Sequence, residues 1–212
     1  MAPDGPLILG FDTSGPWCCA ALVAGPRVLA SAHEEIAIGQ AERLMPMLEA
    51  VLAEGGASWR DLAAVGVGTG PGNFTGVRIA VAAARGIALG LGVPAIGVGL
   101  LEARAEGLAR PLAVIEDARR GEVYLQEFGL GADEGPRLCD LSDLAPLLGA
   151  VALAGAAAGP AAALTGGAVL PPALPLGVAV ARIAAARLGT TQPRPAPLYL
   201  RAPDARPQPS GA

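Results

Sequence analysis

Apolar and polar positions change period at regular places along the chain, and each change marks an element. Residues 7–14, 17–23 and 27–33 are short apolar runs separated by Gly15-Pro16 and Gly25-Pro26, which predicts an antiparallel meander of three strands. Residues 40–54 then place Ala41, Leu44, Met45, Leu48, Val51 and Leu52 at helical spacing and stop at Gly55-Gly56, an amphipathic helix with a glycine end. Pro46 inside it removes one backbone hydrogen bond and predicts a kink. Residues 62–67 form a short apolar run readable as a buried strand. Residues 77–91 carry Val77, Val81, Ala84, Ala88 and Leu91 at helical spacing, and 93–98 is another short strand. Beyond residue 101 the pattern predicts a helix at 102–110, a strand at 111–115, its alternating hairpin partner at 122–128 and a helix at 178–188.

The strand at 62–67 and the helix at 77–91 are joined by Gly66-Val-Gly-Thr-Gly-Pro-Gly-Asn-Phe-Thr-Gly76. Gly68, Gly70, Gly72 and Gly76 allow positive φ and close backbone approach, and Thr75 is placed to cap the helix. A helix start of this kind can hold an anion, and it serves equally as a tight structural elbow. The loop contains no Lys, which excludes a Walker-type phosphate loop.

Composition narrows the classes further. Hydrophobic residues make up 52% of the 212 and aromatics 3%, so the core is built from Ala, Val, Leu and Gly. All 15 basic residues are Arg, and the net charge of −4 argues against this chain gripping nucleic acid unaided. Cys18, Cys19 and Cys139 have no metal-ligand spacing; Cys18 and Cys19, adjacent on a strand, point to opposite faces, and a reducing cytoplasm suits all three. The uncharged tract between Asp143 and Arg182 is broken by five prolines and reads as buried strand and loop rather than a membrane segment. His33 is the only histidine, too little for a metal pair or a Ser–His nucleophile, and it reads as structural or solvent-facing. Pro203, Pro207, Pro209 and Gly211 predict a disordered tail over 202–212.

Residues 68–79, Gly-Thr-Gly-Pro-Gly-Asn-Phe-Thr-Gly-Val-Arg-Ile, resemble the G-x-G-P-G-S-F-T-G-L/V-R-I signature of the TsaB (YeaZ) family, bacterial proteins needed to make threonylcarbamoyladenosine in transfer RNA. Asn73 stands where the family has Ser and keeps a short hydrogen-bonding side chain. Asp117-Ala-Arg119-Arg-Gly-Glu-Val-Tyr124 resembles the family's D-A-R-x-G-E-V-Y segment, and residues 195–201 resemble its C-terminal P-x-Y-L-R. Residues 151–156 sit where the family has an apolar strand leading into a glycine turn. Gln40 replaces a histidine common in the family at the start of the first helix, so no role of that histidine carries over.

The order of elements is similar to a ribonuclease H-like unit, the repeated half of the actin, sugar kinase and Hsp70 superfamily. The expected fold is thus α/β with two such halves: residues 1–100, completed by 190–201, and a truncated second half over 101–189. In that superfamily the first hairpin faces a nucleotide phosphate, which makes Asp12, Thr13 and Ser14 candidates, together with Gly70, Gly72 and Asn73 of the loop and Asp117 and Arg119 of the second half. The alternative for 12–14 is a strand end whose polar side chains satisfy a tight turn. Asp117, Arg119 and Glu122 read either as an acid–base pair or as surface turn charges. The third loop such a cleft needs, at 153–160, lacks polar residues, so the nucleotide cleft reads as degraded: no cofactor is required and weak ATP or ADP binding stays open.

The resemblance implies a non-catalytic subunit that pairs with the catalytic TsaD, with TsaE as third member, reaches transfer RNA only through that complex, and self-associates when alone. The expected contact face comprises Arg43, Met45, Leu48, Val51 and Leu52 on the first helix and Thr75, Arg78, Ala82 and Arg85 on the second. Leu48→Arg is expected to block pairing and spare the fold, and Asp117→Ala to leave it stable. The competing class is an enzyme in its own right, an ATP-binding phosphotransferase or a glycoprotease-like peptidase.

Overall fold

The computed structural model describes residues 5–131 and 135–201; the tail expected over 202–212 lies outside them. The first half runs β1 (Leu7–Asp12), β2 (Trp17–Ala24), β3 (Arg27–Glu35), α1 (Gln40–Glu54), β4 (Leu62–Gly68), α2 (Phe74–Leu91) and β5 (Ala95–Val98). Its sheet has the order β3-β2-β1-β4-β5, with β1 antiparallel to β2 and parallel to β4. A short helix, α3 (Leu100–Ala105), leads into β6 (Leu112–Asp117), β7 (Glu122–Phe128), β8 (Arg137–Asp140), α4 (Leu144–Leu148), β9 (Ala152–Ala154), α5 (Ala158–Thr165) and α6 (Leu176–Arg187). The second sheet, β8-β7-β6-β9, repeats the pairing of the first, with β6 antiparallel to β7 and parallel to β9, and beyond β9 the described residues form an isolated parallel bridge, Leu153 to Val169.

Differences from the predicted elements have local causes. The second helix starts at Phe74 rather than residue 77, and the third ends at Ala105 rather than 110. The 143–182 tract holds α4, β9, α5 and the start of α6, not only strand and loop. Helix α4 has only five residues and α5 is mostly Ala, so neither shows a contrasting polar face. Pro46 is accommodated inside α1, which remains one helix from Gln40 to Glu54.

Both faces of the central strand β1 are buried. Leu7, Leu9 and Phe11 meet Leu44, Leu48, Val51, Val77 and Val81 of α1 and α2, while Ile8 points to the opposite face and meets α6. Cys18 and Cys19 divide between these faces, as adjacent strand residues must. The expected boundary put residues 176–187 in the second half, yet α6 packs across β1, β2 and β4 of the first sheet. Its close approach depends on small residues: a Cβ on Gly66 would lie 2.7 Å from that of Ala184, and one on Gly10 would overlap the backbone of Ala181. Helix α6 therefore forms a shared wall, since Leu176, Ala179, Val180 and Ile183 also meet Leu101, Leu112 and Val114.

Segment 195–201 leaves that wall and runs along the first half toward the second. Leu198 N–H donates to the Thr69 carbonyl at 2.8 Å, and Arg201 pairs with Glu122 of β7.

Candidate functional site

A cleft of about 720 Å³ opens between the two halves. The first half contributes Ser14, Trp17 and the 71–74 loop; Glu116, Asp117 and Arg119 come from the second, and Tyr199 and Arg201 close the mouth. Asp12 and Asp117 end the corresponding strands β1 and β6.

The glycine-rich loop lies directly on the β1 hairpin. A Cβ on Gly68 would overlap the Asp12 carboxylate, one on Gly72 the Ser14 carbonyl, and one on Gly76 the Thr13 carbonyl. Hydrogen bonds complete the seam: Thr13 Oγ1 donates to the Gly76 carbonyl at 2.7 Å and Asn73 N–H to the Ser14 carbonyl at 2.6 Å. Asp12 is fully buried. Its Oδ1 accepts from Ser14 N–H and Ser14 Oγ, both at 2.8 Å, and from Trp17 Nε1 at 2.7 Å. Its Oδ2 is buried without a hydrogen-bond partner, on the side of Gly68.

Thr75 does not cap α2. Asn73 does: its Oδ1 accepts from Thr75 N–H at 3.0 Å and Gly76 N–H at 3.1 Å. Asn thus retains the capping function at the position where the signature has Ser. Gly70, at φ 86°, turns the loop so that its carbonyl accepts from Leu100 N–H at 2.7 Å. Asp12 Oδ1, Thr13 Oγ1, Ser14 Oγ and Asn73 Oδ1 are thus engaged within the seam, and Asp12 Oδ2 is not. Ser14, Gly72 and Asn73 still line the open cleft, opposite Asp117 and Arg119.

On the opposite wall, Asp117 is exposed and its Oδ1 accepts from Arg119 N–H at 2.8 Å, fixing a turn in which Arg119 and Arg120 both have positive φ. The contact between Asp117 and Arg119 is thus side chain to backbone, within a turn. Besides Asp12, the buried charge at the cleft belongs to Glu116 and its partner Arg104, which sequence reasoning passed over. Glu116 accepts from Arg104 Nε at 3.1 Å and from Ala156 N–H at 3.3 Å, and Arg104 lies over the Trp17 ring at 5.2 Å. Burial pushes the Glu116 carboxyl above the ordinary range, against the opposing pull of Arg104. Two adjacent acids, Glu116 and Asp117, closing an apolar strand were the available signal. The chain Asp12–Trp17–Arg104–Glu116 links the halves across the base of the cleft.

Residues expected at a partner face divide by side. Leu48, Val51 and Leu52 are buried in the core against the sheet and offer no surface. Met45, Thr75, Arg78 and Ala82 are exposed, on neighbouring helices α1 and α2, and Arg43 is half-buried in a pair with Glu34 at 2.6 Å. Arg78 sits over the exposed Phe74 ring at 3.6 Å and donates to the Tyr199 hydroxyl at 2.7 Å, with the two rings 4.9 Å apart. Arg85 is separate from this group and lines a different cavity with Arg187 and Arg194. His33 is exposed beside Glu35, and Gln40 is buried, donating to the Ile36 carbonyl at 3.0 Å.

Two sheets of matching topology enclosing an interlobe cleft give the α/β fold of two ribonuclease H-like halves, the second shortened. Comparison with known proteins resolves the family. The model of tRNA N6-adenosine threonylcarbamoyltransferase matches residues 27–143. YeaZ from Pseudomonas aeruginosa superposes with a TM-score of 0.75 at 30% identity, covering 92% of this chain and all of that one. The tRNA threonylcarbamoyladenosine biosynthesis protein TsaB of Escherichia coli is 41% identical over 128 residues, 57% of this chain and 54% of its own. An uncharacterized protein of Mycobacterium tuberculosis is 37% identical over 209 residues, 94% of each chain. The chain belongs to the TsaB (YeaZ) family.

Proposed function

We propose that this chain acts in transfer RNA modification as a non-catalytic subunit. It pairs with a TsaD-type subunit that carries out N6-threonylcarbamoylation of the adenosine beside the anticodon, with a TsaE-type ATPase as third member. The observation that supports this reading is the seam of Gly68, Gly72 and Gly76 on Asp12, Ser14 and Thr13, which ties the candidate phosphate loop to the first hairpin. Family membership supports the pathway, and the seam supports a supporting rather than a catalytic role.

The pairing face in this reading is the exposed side of α1 and α2, with Met45, Arg78 and Ala82, extended by Phe74 and Tyr199. Arg stacked on exposed aromatics is a composition enriched at interface anchors. The same face serves self-association of the isolated chain. Any ATP or ADP binding is weak, and the cytoplasm is the place of action.

The test is threonylcarbamoyl incorporation into transfer RNA by purified TsaD and TsaE with a supply of the activated adenylate. It is run with this chain, without it, and with this chain alone. Activity only in the full mixture is expected. Incorporation, ATP turnover or peptide cleavage by the chain alone would overturn the non-catalytic reading.

A further inference from the structure

A second cavity, of about 700 Å³, lies away from the interlobe cleft, where α2 and α6 end beside β5. Its lining includes Arg85, Arg187 and Arg194 with Thr190, Thr191 and Gln192, and no Asp or Glu among the described residues. In a chain of net charge −4, that concentration of one sign needs an explanation.

The three arginines are not equally occupied. Arg187 is fixed, donating to the Gly97 carbonyl at 2.7 Å and pairing with Glu102 behind the cavity wall. Arg85 is half-buried, and its Nε has no hydrogen-bond partner. Arg194 is exposed. The carbonyl ends of α2 and α6 bring about half a negative charge each. With Glu102 cancelling Arg187, Arg85 and Arg194 outweigh those ends and leave the cavity about one unit positive. Arg85 lines the cavity and no described residue accepts a hydrogen bond from its guanidinium, so an anion entering there would supply an acceptor.

We infer that Arg85 and Arg194, with Arg187 fixed in the wall beside them, form a binding site for a phosphate group. Guanidinium forks match phosphate oxygens in geometry, and Thr191 and Gln192 extend the donor set. The phosphate comes either from an RNA backbone or from a free phosphorylated small molecule. The RNA source rests on the transfer RNA role proposed above; the phosphate chemistry does not.

The experiment titrates the full isolated chain with pyrophosphate and, separately, with a transfer RNA transcript, comparing wild type with Arg194→Gln and with Arg85→Gln. Circular dichroism and thermal melting check that each variant is folded; Arg194, being exposed, provides the variant safest for the fold. Each substitution is expected to weaken binding by about tenfold or more, the size of a lost charge-assisted hydrogen bond. For RNA it is also expected to reduce the slope of log affinity against log salt by about one. Sensitivity of the RNA titration supports a backbone site, and sensitivity of pyrophosphate alone supports a small-molecule phosphate site. Wild-type binding of both probes by both variants, or no binding of either probe by wild type, overturns the inference. Because no partner subunit is present, failure of the pairing proposal does not affect the outcome.

Discussion

The Cα of Gly68 stands against the carboxylate of Asp12 with no space for a side chain between them. The signature glycines of this loop are thus explained by what they touch inside the chain, before any ligand is considered. Gly68→Ala is expected to destabilise by about 1–3 kcal/mol, the range for overpacking a filled interior. Gly76→Ala should cost more, since its obstacle is the Thr13 carbonyl, which cannot swing aside. Gly86, on the same helix as Gly76, has open space where a Cβ would go, and Gly86→Ala should stabilise by about 0.5–1 kcal/mol. Urea unfolding of the three variants checks the order. Equal stability of Gly68→Ala and wild type would refute the steric account.

Partner-face substitutions follow the observed sides of the helices. Leu48 is fully buried, so Leu48→Arg, expected from the sequence to spare the fold, should instead unfold the chain by placing an unpaired charge in the core. Met45→Glu and Ala82→Glu alter exposed positions and should change stability by no more than about 0.5 kcal/mol. Size-exclusion chromatography with a TsaD-type subunit is the check. Both Glu variants should remain folded and lose co-elution. Unchanged co-elution would remove α1 and α2 from the pairing face.

Helical spacing located α1 and α2 but could not orient them about their axes. Leu48 and Met45 both belong to the apolar set of α1, and only the position of the sheet decides that one faces Phe11 and the other solvent. The meander was legible because short apolar runs punctuated by Gly-Pro leave few alternative readings, and the two-half fold because the element order resembles a ribonuclease H-like unit. The site was less so. Asp12, Thr13 and Ser14 could be picked out on the chain, whereas their engagement by Gly76 and Trp17 depends on contacts across 63 and five residues. Arg104 and Glu116 meet only after folding and had no motif to announce them. The α6 wall was hidden because an Ala-rich helix packing on strand glycines shows little polarity contrast.

Thiol chemistry should distinguish the three cysteines. Burial pushes the Cys18 thiol up to about 11, and Cys19, almost wholly enclosed beside Asp12, is also raised well above the ordinary value. Both stay protonated and sheltered at pH 8. Cys139, although also raised, is partly exposed on β8. A chromogenic disulfide reagent added to native protein at pH 8 should label one thiol per chain, and Cys139→Ser should abolish that labelling. Prompt reaction of Cys18 or Cys19 in the native state would contradict the packing of β2.

Glu116 should make stability fall as pH rises. Its carboxyl is raised in the folded chain by burial, above an ordinary value near 4.5, so the folded state holds this proton more tightly than the unfolded state. The contribution is most favourable below the unfolded value and is lost as pH climbs through the folded one, beyond which a constant desolvation cost remains. Glu116→Gln removes the titration and retains an oxygen for Arg104 Nε and Ala156 N–H. Arg104 stays partly solvated over the Trp17 ring, so it is not left as a buried, unpaired charge. Unfolding free energies measured from pH 4 to 7 should therefore show the wild type losing stability relative to Glu116→Gln with increasing pH, and the variant at least as stable at pH 7. If the wild type instead gains relative stability over that range, attraction to Arg104 outweighs burial. The pair would then be an ionic tie between the two halves rather than a cost of closing them.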